Sequence, residues 1–270
     1  MSVVLHVSDT HFGSESPAVV AASLTLAQRL NPDVLIFSGD ITQRARRAEF
    51  DAAKAWVERL AIPSRVVVPG NHDIPLFNLA ARLIAPYGGY ARVFGAELEP
   101  EHVSPDLMVL GVNTTRARRH TDGEVSQSQV ERVSRRLRAA TPGQLRVVVT
   151  HQPVHVIRES DITNRLHGAE GAIRAWASAG VDLILGGHIH LPYIRPLSER
   201  YDDLGRPVWC VQAGTAVSTR IRHDHKNSIN VVRYAAQGGS VRSCEVQRYD
   251  FEPRTAEFGL VLEETLRFDG

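Results

Sequence analysis

The sequence predicts an α/β fold with two packed β-sheets. Short runs of Val, Ile and Leu alternate with helical patterns up to residue 190, and strand patterns without a long helix follow. Alternation of strands and helices is typical of a parallel or mixed sheet with right-handed crossovers. We therefore expect one domain over residues 1–270. Residues 191–270 should be its β-rich C-terminal part and belong to a second, more antiparallel sheet.

The strands of the first part are apolar at nearly every position. Such runs are expected for strands that other layers cover on both faces. The predicted strands are residues 3–7, 33–37, 65–68, 107–112, 146–149 and 181–185. After residue 190, strand patterns separated by turn residues cover residues 206–214, 228–234 and 240–249.

Helices are predicted between these strands. The first covers residues 16–30 and has Pro17 at the favoured first position. Residues 46–60 place apolar side chains on one helical face. A capping-box pattern at Ser126 begins the next helix, and residues 169–179 form another before a glycine.

Composition argues against several classes of protein. The 31 Lys and Arg residues balance 30 Asp and Glu residues, so no overall charge attracts nucleic acid or an anionic membrane. No apolar run reaches the length of a membrane span. The first residues lack the pattern of a signal peptide, and Cys210 and Cys244 are too few for a disulfide framework. We expect a cytoplasmic protein with two reduced thiols.

Potential metal ligands follow most of the buried strands. The carboxyl ends of strands in an α/β sheet are where ligands bind. His188 and His190 are two positions apart, so an extended chain points both side chains to the same side. Neutral imidazoles aimed at one point indicate a metal. The side chains at these strand ends are Asp9, His11, Asp40, Asn71, His72, Asp73, His151, His188 and His190.

These residues resemble the five motif blocks of the calcineurin-like metallophosphoesterases, in the family's order. The resemblance covers about residues 4–190. It implies two mixed sheets packed as a sandwich with helices on the outer faces, an αββα arrangement in four layers. Within the family, the layout is similar to the bacterial class that contains cyclic-nucleotide phosphodiesterases. The motifs are Asp9-x-His11, Gly39-Asp40, Gly70-Asn71-His72-Asp73, His151 and Gly187-His188-x-His190.

The resemblance implies two metal ions that share one ligand. Seven candidate ligands exceed what one tetrahedral ion uses. Nitrogen and oxygen ligands without a thiolate favour Mn, Fe or Zn over Ca or Mg. Carried over by motif, one ion is bound by Asp9, His11, Asp40 and His190, and the other by Asp40, Asn71, His151 and His188.

Other residues are expected to act on the substrate. His72 is not needed as a ligand, so we assign it to the leaving group, as a proton donor or as a stabilising cation. We expect Asp73 to orient His72 and to favour its protonated form. Asn113, Arg222 and His223 follow strands and are candidate substrate contacts. Residues 222–226 resemble a metal site in composition, but a solvated or substrate-facing loop is the preferred interpretation.

The predicted function is a metal-dependent phosphodiesterase. Hydroxide activated by two metals would attack a small phosphodiester, and a 3′,5′-cyclic nucleotide is the first candidate. The alternatives are the same chemistry on a nucleic acid, a lipid-linked diphosphate or a phosphomonoester, and a non-catalytic scaffold. Residues 74–98 could form an apolar flap for a lipid or a cap packed on the body. A homodimer is left open.

Overall fold

The computed structural model describes residues 1–222, 224–236 and 242–268. Strands and helices alternate over the first part of the chain, as predicted, and strands dominate the last part. The elements are β1 (Ser2–Val7), α1 (Pro17–Leu30), β2 (Val34–Phe37), α2 (Arg47–Leu60), β3 (Ser64–Val67), α3 (Leu79–Ile84), α4 (Gly88–Phe94), β4 (Glu101–Val103), β5 (Leu107–Gly111), α5 (Gln127–Arg138), β6 (Leu145–Val149), α6 (Ala169–Ser178), β7 (Leu183–Gly186), β8 (Tyr193–Pro196), β9 (Trp209–Gln212), β10 (Ser228–Tyr234), β11 (Ser243–Glu252) and β12 (Glu257–Arg267).

Two six-stranded mixed sheets form the centre of the fold. The first has the strand order β12-β11-β10-β1-β2-β3, and the second has the order β4-β5-β6-β7-β9-β8. Strands β1 to β3 are parallel in the first sheet, and β5, β6, β7 and β9 are parallel in the second. The predicted α/β class with two mixed sheets is confirmed.

The C-terminal strands differ from the expectation, because they do not build a second sheet of their own. Strands β8 and β9 extend the second sheet, whereas β10 to β12 extend the first sheet from the free edge of β1. There β10 pairs antiparallel with β1, and Val4 lies opposite Val232. Strand β12 was not predicted, because most of its side chains face solvent and Leu260 and Val261 are about half exposed.

Alternate side chains of each strand enter different layers of the core. In β1, Val4 joins the cluster between the two sheets, together with Ile36 of the first sheet and Val147 of the second. Leu5 points the other way and packs with α1 and α2. Helices α5 and α6 cover the outer face of the second sheet. The result is the four-layer αββα sandwich, and each strand run is apolar because both of its faces are buried.

The segment between β3 and β4 has features of both roles predicted for it, an apolar flap and a cap packed on the body. Tyr90 of α4 is buried, and its hydroxyl donates a 2.7 Å hydrogen bond to the Val67 carbonyl, so α4 packs on the body as a cap. Phe77, Leu83 and Ile84, in and before α3, are largely exposed. Within the described ranges, none of the helices is both long and apolar enough to cross a membrane.

Candidate metal centre

The loops that follow β1 and β2 run side by side. The backbone N–H of Asp9 donates to the Gly39 carbonyl, and that of His11 donates to the Asp40 carbonyl, both at 3.0 Å. The loop after β7 is attached to them, because the backbone N–H of His188 donates to both oxygens of the Asp9 carboxylate, at 3.1 and 2.9 Å. These bonds bring ligands from three strand ends to one place.

Five of the predicted ligands have a left-handed backbone. Their φ angles are 52° at Asp9, 41° at His11, 49° at Asp40, 74° at His188 and 56° at His190. Residues other than glycine adopt this conformation rarely, because the Cβ atom crowds the backbone. Such strain concentrates at functional sites. Here the tight turns direct the side chains of these ligands toward one another at the carboxyl ends of the strands.

Two glycines allow the loops to approach each other. A Cβ atom at Gly70 would overlap the backbone nitrogen of Asp40. A Cβ atom at Gly187 would overlap the Ser8 hydroxyl and lie 2.6 Å from Asp9 Oδ2. Both motif glycines are therefore needed for contact between backbone segments.

Asp9, His11 and His190 form the first group of potential ligands. The Nε2 atoms of His11 and His190 are 3.2 Å apart. The Asp9 Oδ1 atom lies 3.4 Å from His190 Nε2 and 3.9 Å from His11 Nε2. Their ligand atoms all lie within 4.8 Å of one another, which is suitable for a single ion.

Asp40, His151 and His188 form the second group. The Nε2 atom of His151 lies 3.2 Å from Asp40 Oδ1 and 3.1 Å from Asn71 Oδ1. The other carboxylate oxygen of Asp40 lies 3.7 Å from His11 Nε2. The two oxygens of Asp40 therefore face the two groups, as a bridging ligand requires.

Backbone carbonyls orient two of the imidazoles. The Nδ1 atom of His151 lies 2.8 Å from the Ser38 carbonyl, and Nδ1 of His190 contacts the Arg220 carbonyl. A carbonyl only accepts, so both rings carry hydrogen on Nδ1, and Nε2 is the nitrogen left to face a cation once it is deprotonated. The Nδ1 atom of His188 is buried and lacks a hydrogen-bond partner among the described residues. A second ion at that nitrogen would satisfy it. The residues fit a dinuclear centre.

Burial keeps two of the histidine ligands neutral. It lowers the pKa of His11 to about 3 and that of His188 to about 4, so both rings are neutral at pH 7. Burial also opposes charge on His151, but the adjacent Asp40 carboxylate outweighs it and raises the pKa of His151 to about 9. Binding a cation at His151 must therefore release a proton.

His72 borders the centre, and its partners differ from those expected. Its Nδ1 atom lies 2.9 Å from the Gln43 carbonyl, and the Arg220 guanidinium lies 3.3 Å from its Nε2 atom. The carbonyl cannot donate and the guanidinium cannot accept, so the ring carries its hydrogen on Nδ1. Among the described contacts of the Asp73 carboxylate there is none to this ring, so the expectation that Asp73 orients His72 directly is not met.

Asp73 instead joins two loops. Its carboxylate is buried and accepts hydrogen bonds from the backbone N–H groups of Gly70, Ile41 and Thr42, at 2.8, 3.1 and 2.8 Å, and from the Thr42 hydroxyl. Burial and the charge of Asp40 raise the pKa of Asp73 to about 6, although the N–H donors act in the opposite direction. Asp73 is ionised at pH 7 and holds the turn that carries Asn71 on the loop after β2.

Sequence comparison agrees with this geometry. A family model described as calcineurin-like phosphoesterase matches residues 2–192. The chain belongs to the calcineurin-like phosphoesterase family. All seven predicted ligands of this phosphoesterase lie in the matched region.

Two curated relatives of this phosphoesterase act on, or are named for, cyclic nucleotides. It is 26% identical over 183 residues to a Synechococcus protein named "Probable cyclic nucleotide phosphodiesterase", which covers 67% of this chain and 66% of the relative. It is 26% identical over 207 residues to a cAMP/cGMP dual specificity phosphodiesterase from Mycobacterium tuberculosis, over 70% of this chain and 61% of the relative. The chain thus matches less than two thirds of the length of each relative.

Solved structures support the fold. A dimetal phosphatase from Danio rerio superimposes with a TM-score of 0.69 at 12% identity, over 99% of both chains. A purple acid phosphatase from yellow lupin gives a TM-score of 0.72 at 12% identity, over 98% of this chain and 53% of the other. At this identity the likeness concerns the fold alone.

The predicted substrate contacts lie in different environments. Arg222 lines the cavity at the metal centre, but its guanidinium is bound to the Asp161 carboxylate at 2.9 Å and to the Ile189 carbonyl at 3.1 Å. Asn113 is buried, and its side-chain oxygen accepts hydrogen bonds from Thr115. His223 lies outside the described residues.

Sequence reasoning missed Arg220. Its guanidinium lines the cavity at the metal centre and contacts both His72 Nε2 and Gln43 Oε1. The signal that selected Arg222, a basic residue in the loop after β9, applied equally to Arg220. Its backbone carbonyl also holds His190, so one residue serves both the ligands and the cavity.

Proposed function

We propose that the protein is a dinuclear-metal-dependent phosphodiesterase that hydrolyses a small phosphodiester, with a 3′,5′-cyclic nucleotide as the first candidate. The position of Asp40 carries the proposal, because one of its carboxylate oxygens faces His11 of the first group and the other faces His151 of the second. Asp40 also forms a possible ligand group with His11 and His72. The names of the two curated relatives support the choice of substrate.

The ligand sets are assigned from these two groups. Asp9, His11 and His190 would hold one ion, and His151, His188 and Asn71 the other, with Asp40 between them. The absence of a thiolate from both sets favours Mn, Fe or Zn. When bound, two such ions would supply Lewis-acid stabilisation of the phosphoryl oxygens and an activated water nucleophile.

His72 is assigned to the leaving group. Because Gln43 keeps hydrogen on Nδ1, Nε2 is the nitrogen that exchanges a proton with a substrate in the cavity. Arg220 donates to that same atom. Arg220 must therefore leave Nε2, and Nε2 must take up a proton from water, before His72 can protonate a leaving group; a phosphate oxygen is a suitable new acceptor for the guanidinium.

A lipid-linked diphosphate is a second candidate substrate. The observation in its favour is the exposed apolar group of Phe77, Leu83 and Ile84. Leu76 lines the cavity that His72 lines, and also lines a neighbouring cavity together with Phe77. An apolar chain could rest on this surface while its diphosphate reaches the centre.

The test combines metal analysis with substrate profiling. The purified chain should contain two metal equivalents by inductively coupled plasma mass spectrometry, and should hydrolyse bis(p-nitrophenyl) phosphate until a chelator is added. Cyclic nucleotides, dinucleotides and a lipid-linked diphosphate are then compared by kcat/KM. Asn164→Ala, which changes a cavity residue outside both ligand groups, is the control for Asn71→Ala. A chain that stays inactive after Mn is added would refute the proposal.

A further inference from the structure

A second cavity adjoins the metal centre on the side of His72. It has a volume of about 230 Å³. Asn71, His72 and Arg220 line both this cavity and the one that contains Asp40 and His190. A group bound in the second cavity is therefore next to the leaving-group side of the centre. We call this space the arginine cavity, for Arg44, Arg82 and Arg220 in its wall.

The wall of the arginine cavity is positively charged. Arg44, Arg82 and Arg220 line it together with His72 and His120, and no Asp or Glu is among the described residues that line it. Three guanidinium groups around one small space repel one another unless an anion lies between them. The wall therefore has the composition of an anion site.

The three arginines lack carboxylate partners among the described residues. Arg82 donates to the carbonyls of Pro75 and Arg119, at 3.2 and 2.7 Å. Arg44 lies over the ring of Phe77, 5.3 Å from its centroid. In the described part of the chain, the Arg220 guanidinium contacts Gln43 Oε1 and His72 Nε2. All three keep donors that an incoming anion could use.

Three neighbouring arginines outside the cavity are paired with carboxylates. In the loop after β5, Arg118 and Arg119 bind the Glu124 carboxylate at 3.0 and 2.9 Å. In α4, Arg92 binds Asp51 at 2.6 Å. The arginines of the cavity wall therefore differ from these neighbours, which are held by carboxylates.

We infer that the arginine cavity is a subsite for a second phosphate group of the substrate. The inference rests on the proposed phosphodiesterase function and narrows its substrate class. One guanidinium group can donate two parallel, charge-assisted hydrogen bonds to the oxygens of a phosphate. A cyclic mononucleotide has no second phosphate to place there. The arginine cavity therefore ranks a phosphodiester whose leaving group carries a further phosphate above the cyclic nucleotide that the names of the relatives suggest.

Arg44 is the residue best suited to a test. Arg82 holds backbone carbonyls and Arg220 contacts His72, so changes there would disturb the fold or the reaction. The side chain of Arg44 is exposed and rests on Phe77. Arg46 is a matched control, because it is two positions away and 73% exposed but does not line the cavity.

The kinetic test compares substrates with and without a second phosphate. The dinucleotide TpT, its 5′- and 3′-phosphorylated forms, and a glycerophosphodiester with and without a phosphate on its alcohol are assayed with the Mn-loaded full chain. At least one phosphorylated substrate should exceed its unphosphorylated parent in kcat/KM by about tenfold. The series in which this increase occurs shows whether the leaving group is a nucleotide or another phosphorylated alcohol. Arg44→Gln should reduce that preference several-fold, and Arg46→Gln should leave it unchanged. Equal kcat/KM for each pair in the unmodified protein would overturn the inference.

A binding test separates this inference from the proposed function. Inorganic pyrophosphate is titrated calorimetrically into the chelator-treated full chain. Arg44→Gln should raise the Kd for pyrophosphate about tenfold, and Arg46→Gln should leave that Kd unchanged. Equal Kd values for Arg44→Gln and the unmodified protein would reject the subsite, even if no diester were hydrolysed. Failure of every diester assay with a normal pyrophosphate titration would instead reject only the phosphodiesterase.

Discussion

Asp73→Ala tests how the centre is held together. The change removes the shared acceptor of four hydrogen bonds and leaves three backbone N–H groups buried without it. An unsatisfied buried donor costs about 1–3 kcal/mol. Water entering the space of the carboxylate offsets part of that cost. We expect the free energy of unfolding to fall by about 3–5 kcal/mol, in the upper range for a single substitution.

The assay measures stability and metal content together. Urea unfolding of the metal-free chain at about pH 8 keeps Asp73 ionised, because its pKa is about 6. Thr42→Val removes the hydroxyl donor alone and should cost about 1 kcal/mol. Asp51→Ala, at an exposed ion pair with Arg92, should change stability by less than about 0.5 kcal/mol. Mass spectrometry should show that Asp73→Ala loses metal, since the turn carrying Asn71 is released.

One outcome would refute this reasoning. If Asp73→Ala unfolds within about 1 kcal/mol of the unmodified chain and keeps both metals, the carboxylate does not anchor the loops. A loss of activity in that variant would then return Asp73 to a direct role in the reaction.

Three further substitutions test separate parts of the centre. Asn71→Ala should lower the metal content by about one equivalent and turnover by roughly 10- to 100-fold, measured by mass spectrometry and diester hydrolysis; unchanged metal content would remove Asn71 from the ligands. Gly187→Ala should abolish metal binding, because the new Cβ atom would overlap the Ser8 hydroxyl. Gly171→Ala is the control and should retain metal, because no contact within 4 Å is found for a Cβ atom there. Equal metal content in the two variants would contradict the close approach at Gly187. His72→Ala should keep both metals and lose rate, most with poor leaving groups, in a series of nitrophenyl and alkyl diesters; loss of metal would make His72 a ligand.

The ligand residues could be predicted from sequence because their information is local. His188 and His190 directly follow a run of apolar residues, and the carboxyl end of a buried strand is a defined place in an α/β fold. The strand and helix patterns also predicted the layers, since residues buried on both faces are apolar throughout.

The remaining features depend on distant contacts. Neither the pairing of β10 with β1 nor the division of the C-terminal strands leaves a local signal, because a free strand edge accepts any suitable partner. Asp73 follows His72 in the chain, so adjacency suggested contact, yet the turn directs its carboxylate to Gly70 and Thr42. Arg220 reaches His72 only through the fold of the loop after β9.

The left-handed turns at five ligands have a consequence for how such centres arise and disappear. A non-glycine residue in this conformation costs about 1–3 kcal/mol, so the five together oppose folding by several kcal/mol. A descendant freed from selection for activity would relieve part of this strain by exchanging His11 for glycine, whereas Asp9 also accepts the hydrogen bonds of the His188 N–H. Loss of such a strained ligand would therefore lower the free energy of the folded chain. Grafting the same side chains onto another scaffold would fail unless the turns were transferred first, because the backbone and not the side chain aims these ligands.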